Sequence, residues 1–104
     1  EYTGVWCPRS DAAESFGFWF SGGRDTHYHY IDGYHIGWSA YRYQEFTYEI
    51  VLIRLTNSNV RWTLNRSTLK MAGTDIQCEL VSSEPEIIDK LQAIIDAAKA
   101  ENKL

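Results

Sequence analysis

The stretch Thr26-His27-Tyr28-His29-Tyr30-Ile31-Asp32-Gly33-Tyr34-His35-Ile36-Gly37-Trp38-Ser39-Ala40-Tyr41-Arg42-Tyr43 decides the fold class. Aromatic and branched residues fill Thr26–Ile31 and His35–Tyr43, which is the composition of a pleated, half-buried surface. Between them Asp32-Gly33 is the strongest short hairpin signal in the chain. Two strands joined by so short a turn must be antiparallel.

The same pattern continues in both directions. Upstream, Gly4-Val5-Trp6-Cys7 reads as a strand ended by Pro8. From Glu14 to Ser21 the residues alternate, with Phe16, Phe18 and Phe20 on one face and Gly17 and Trp19 on the other. Ser21-Gly22-Gly23-Arg24 supplies the next turn. Downstream, Thr47–Thr56 is the longest strand, turned back at Asn57-Ser58 into Val60–Leu64. That loop pairs Leu55 with Val60, Ile53 with Trp62 and Val51 with Leu64, all apolar. A turn at Asn65–Thr68 then sets Leu64 against Leu69 and Trp62 against Met71. After Gly73-Thr74-Asp75 a last strand places Ile76, Cys78 and Leu80 on one face.

About eight short strands joined by tight turns predict an all-β antiparallel meander, and a meander this long removes its exposed edges by closing into a small barrel. An open bent sheet or a two-layer sandwich satisfies the same pattern. One segment departs from it. Ser83-Glu84-Pro85-Glu86 reads as a capping box with Ser83 as N-cap. Ile87, Ile88, Leu91, Ile94, Ile95 and Ala98 follow at helical spacing as one apolar stripe. The chain therefore divides as 1–82 barrel and 83–101 amphipathic helix within a single domain, 1–104. The expected seat of the helix is the outer face of the long strand, at Tyr48, Ile50 and Leu52, with a partner protein as the alternative cover.

Cys7 and Cys78 lie near the two ends of the β region. Paired, they close a loop of roughly 70 residues, hold the first strand to the last and require an oxidising compartment. Unpaired, they are two buried thiols. Neither has the Cys-x-x-Cys spacing of a metal site. The chain opens at Glu1-Tyr2-Thr3 without an initiator Met, as expected of a mature exported protein after signal-peptide removal and equally of a trimmed chain. It contains no apolar run long enough to span a bilayer.

Bulk composition bounds the function. At 104 residues there is room for one core, and 44% apolar residues suffice to build it. A net charge of −4 argues against a broad grip on nucleic-acid phosphates. The outlier is four Trp, seven Tyr and four Phe, which suits β structure and also suits a recognition surface.

Thr3-Gly4-Val5-Trp6 before a small meander, with a helix at the end, resembles the Gly-x-Trp opening of lipocalin-like (calycin) proteins. In size, export and single disulfide the chain is similar to the small periplasmic barrels that inhibit lysozymes or secreted proteases. The resemblance covers four residues and the order of elements, and what it implies is the architecture.

Three groups of residues are candidates for function. His27-x-His29 places two imidazoles on one strand face, and with His35 they form a candidate zinc site. A two-residue loop at Asp32-Gly33 puts His35 on the opposite face, whereas a three-residue loop unites all three. Hydrogen-bonded structural histidines are the simpler expectation. The same register collects Tyr28, Tyr30, Tyr41 and Tyr43 on one face and His27, His29, Ile31, Ile36 and Trp38 on the other. With the second face inward, the tyrosines form an outward contact surface; with the first inward, they fill the barrel. Finally, Arg54 falls opposite Arg61, a repulsion to be relieved by helix carboxylates or by an acidic partner.

No catalytic motif and no cofactor signature stands out. The expected function is thus an exported binding module, an inhibitor of a secreted or host protein, acting through the tyrosines, Arg54 and Arg61. The alternatives are a carrier of a small apolar ligand in the barrel interior and a structural component of an envelope assembly.

Overall fold

A computed structural model describes residues 3–22 and 24–102. The N-terminal pair Glu1-Tyr2 and Gly23 of the first glycine turn fall outside the described residues. Seven strands form one antiparallel sheet: β1 (Gly4–Cys7), β2 (Phe16–Gly22), β3 (Asp25–Asp32), β4 (His35–Glu45), β5 (Glu49–Arg54), β6 (Arg61–Asn65) and β7 (Glu79–Val81). Their order is β6-β5-β4-β3-β2-β1-β7. The sheet curls through 230° as an open half-barrel, calycin-like in outline, with a C-terminal helix α1 (Glu84–Glu101) packed against it.

The inner face is the main core. Val5, Cys7, Phe16, Phe18, Phe20, Tyr41, Leu52 and Leu64 are buried together there, joined by Met71, Ile76 and Cys78. The last three arrive on a ribbon of residues 69–78, which bridges back to β6 at Leu64–Met71 before running into β7. Aromatic rings carry much of this packing. Phe18 meets Tyr41 edge-on with centroids 5.2 Å apart, and Tyr28 stacks on Tyr30 at 5.3 Å. Tyr30 also lies over Gly37, where a Cβ would come within 2.6 Å of its ring. The tyrosine face of the β3–β4 hairpin is therefore the interior one: Tyr41 is 3% exposed, and Tyr28, Tyr30 and Tyr43 pack against the core. This corrects the outward tyrosine surface. Burying an aromatic ring against Phe16 and Phe18 gains more than burying an imidazole, which keeps a polar ring nitrogen to satisfy.

The second core lies on the outer face. Ile87 and Leu91 of α1 are buried against Trp6 and Val81, with Trp19, Ile31 and Ile36 packed around them. The helix thus sits over β1–β3 and the Ile36 end of β4, and not on β5, the strand expected to seat it. Leu52 is fully buried on the inner face and Tyr48 is 76% exposed. Gly17 makes the close approach possible, since a Cβ there would meet Ile87 Cγ2 at 2.5 Å. At the helix start the capping box is half realised. Ser83 is the N-cap without a side-chain bond, while Glu86 reaches back one residue further and accepts from Ser82 N at 2.9 Å.

Three turns shift the expected registers; at the 65–68 turn Leu64 pairs with Met71 and not with Leu69, a slip of two residues. In the β3–β4 hairpin Asp32 pairs with His35 and Ile31 with Ile36, so the loop is Gly33-Tyr34. Gly33 has φ +64° and Tyr34 has no positive φ, the arrangement of a type II′ turn with glycine first. The slip is two residues along one partner strand, so the sorting of side chains between faces survives. In the β5–β6 hairpin Val60 N donates to Asn57 O and Arg54 N to Val60 O, closing a longer loop. Ile53 now pairs with Arg61 and Leu52 with Trp62. A one-residue slip exchanges faces, so Arg54 and Arg61 are not opposite one another.

Cys7 and Cys78 are bonded, with Cα atoms 4.1 Å apart. They continue the β1–β7 ladder one step beyond Trp6–Glu79. The sheet edges are β6 and β7, so the bond fastens edge strand β7 to β1, and only the isolated bridges of the 69–78 ribbon lie between β7 and β6. A bond closing a 71-residue separation is worth about 4 kcal/mol in the chain-entropy model. Such a bond fits an oxidising compartment. Among the described residues no helix is long and apolar enough to cross a membrane.

Candidate functional site

The outer face of β3 and β4 carries the densest set of polar and aromatic groups outside the core. Its rows follow from the ladder: Trp6, Gly17, His29 and Trp38 lie side by side, as do Gly4, Trp19, His27 and Ala40. Alternation brings His27 and His29 to the same side of β3, as the sequence spacing predicts. The first residue of α1 then hangs over them. Glu84 Oε2 lies 2.9 Å from His27 Nδ1 and 2.6 Å from His29 Nε2. One carboxylate oxygen thus receives both imidazoles.

The environment of this cluster is graded. The His29 side chain is 11% exposed, Glu84 29% and His27 38%, so solvent reaches the group from the His27 side. Trp38 stands beside His27, ring centroids 5.6 Å apart, and is itself 62% exposed. Burial works against ionisation of Glu84, yet the hydrogen bonds and charge of His29 and His27 outweigh it and hold the carboxyl below its usual range. His35 pairs with Asp32 and points to the other face, away from the cluster. The three-histidine set is therefore replaced by two histidines and Glu84. Sequence spacing could not show this, because Glu84 is 55 residues from His29 in the chain. The one available signal was an acidic residue at the start of a helix that had to pack on some strand.

The remaining predicted residues separate. Arg54 lies on the inner face next to Tyr41, and its Nε is buried without a hydrogen-bond partner among the described residues. Burial pushes the Tyr28 phenol up to about 12 and raises Tyr41 as well. Arg61 is exposed on the outer face, where its Nε donates to Ser58 O at 3.0 Å. The inner face leaves a pocket of about 230 Å³ at one end, lined by Val5, Phe20, Tyr43, Ile50, Leu64 and Leu80. Glu45 and Arg66, 3.5 Å apart, also border it.

Beyond the helix the outer face is uncovered. Trp38 and Ala40 on β4, Val51 and Ile53 on β5 and Leu55 in the following loop share this side, with Leu55 N bonded to Ala40 O. Arg42, which pairs with Ile53, and Arg61 flank the apolar strip, and both are exposed. Comparison with protein-family models, with curated proteins and with solved structures returned no match.

Proposed function

We propose that this protein is an exported binding module that docks a protein partner on the uncovered outer face of β4–β6, acting by contact and without chemistry of its own. The observation that carries this is Trp38, an indole 62% exposed on a sheet face that α1 covers only in part. Exposed aromatic anchors ringed by polar groups are the composition of interface centres. Leu55, nearly half exposed, extends the apolar strip. Arg42 and Arg61 add positive charge to it on a chain of net charge −4, so the partner that fits is one with an apolar centre and an acidic rim. The disulfide supports export, and inhibition of a secreted or host protein is the form of binding that suits a small stable domain.

The test compares affinity capture from the exported milieu by wild type, by Trp38→Ala/Arg61→Glu and by Tyr48→Ala. A specific partner should be lost with the double variant and kept with Tyr48→Ala. A partner retained equally by all three would exclude this face. The pocket of about 230 Å³ supports a second reading as carrier of a small apolar ligand, although it is smaller than the roughly 300 Å³ at which ordinary ligand sites begin.

A further inference from the structure

We propose that His27, His29 and Glu84 form a binding site for a divalent transition-metal ion, with zinc the ion best matched to the donors. Their ligand atoms, His27 Nδ1, His29 Nε2 and Glu84 Oε2, all lie within 4.8 Å of one another. Two imidazole nitrogens and one carboxylate oxygen are a common zinc set, and three protein ligands leave a fourth position for water or an incoming group. Imidazole selects zinc, copper or nickel over calcium and magnesium, which prefer all-oxygen shells.

The geometry supports chelation beyond a simple helix anchor. A single histidine would tie α1 to the sheet. Here two imidazoles from alternate positions of one strand converge on the same oxygen, so their nitrogens already face a common point. Metal–ligand bonds of about 2.0–2.2 Å at tetrahedral angles require donors roughly 3.3 Å apart. The present separations of 2.6 and 2.9 Å therefore need Glu84 to recede by about half an ångström, and the two imidazole nitrogens, which lie within 4.8 Å of each other, must settle at the same spacing. Its side chain is free to do so, being part-exposed at the first position of the helix. Each imidazole ligates as a neutral ring through the nitrogen that now faces Oε2, with its one remaining proton on the other ring nitrogen. The fourth position opens where His27 meets solvent beside Trp38.

The inference stands apart from the docking reading, since its three ligands are not among the docking residues and Trp38, which borders both, is not a ligand. Its test is isothermal titration of the chelator-treated 104-residue chain with zinc chloride, with calcium as control, together with the absorption spectrum after cobalt(II) is added. Wild type should bind one zinc per chain, ignore calcium and give the intense visible bands of tetrahedral cobalt. Glu84→Gln and His29→Gln should each weaken zinc binding by more than about tenfold, which even an outer-shell partner can be worth. His35→Ala removes the hairpin's third imidazole from the opposite face and should bind as wild type. Absence of stoichiometric zinc binding, or cobalt remaining octahedral, would overturn the site. So would equal loss in His35→Ala.

Discussion

Tyr28 shows how far the interior differs from a contact surface. Its ring touches Phe16, Phe18, Tyr30 and Tyr41, and its phenol is held at about 12 by burial first and by the neighbouring tyrosines second. A group whose folded pKa lies above its unfolded value of 10 contributes stability that is fully present below pH 10 and lost as pH rises through 12. The loss expected across that window is on the order of 2–3 kcal/mol. Denaturant unfolding at the two ends of the window measures it, and Tyr28→Phe should flatten the dependence. At the same scale Glu84 shows what residue-level reading omits. His27 and His29 were recognisable from their spacing alone, but the carboxylate that joins them comes from another element.

At the scale of elements, the helix and the sheet meet through one glycine. Gly17→Ala forces its methyl against Ile87, and overpacking of this kind costs about 1–3 kcal/mol. Thermal or denaturant unfolding should show that loss, and it should shrink in an Ile87→Ala background, because the pair is coupled through one contact. Much at this scale was legible beforehand. β1 was readable residue for residue, and the alternation of Phe16, Phe18 and Phe20 identified the inner face of β2. The helix was legible from its stripe, since Ile87, Leu91 and Ile95 recur at helical spacing and are the residues it buries. Its seat was not. An apolar stripe states that it must be covered but not by which strand, and Ile50 and Leu52 were already committed to the other face. Turn detail set the remaining differences: Gly33 took the first loop position, and Asn57 moved the β5–β6 register by one residue. That single step separates Arg54 from Arg61.

At the scale of the whole molecule, two cores divide the sheet. The rings fill the inner trough, α1 covers the outer face of β1–β3 and the Ile36 end of β4, and the rest of the outer face across β4–β6 is left to solvent. The edges are handled differently from a closed barrel. β7 is only three residues long and is bonded through Cys78 to β1, while the ribbon of residues 69–78 pairs with β6, so neither edge offers a long free ladder. Which hairpin face looks inward could not be settled from periodicity, since both faces of β3 carry aromatic or apolar groups. Any functional account of this protein depends on that assignment. It is tested most directly by hydroxyl-radical footprinting of the native chain, read residue by residue by mass spectrometry. Trp38 and Tyr48 should oxidise rapidly, and Tyr28 and Tyr41 should be protected until the protein is unfolded. Rapid oxidation of Tyr28 and Tyr41 with protection of Trp38 would contradict the account.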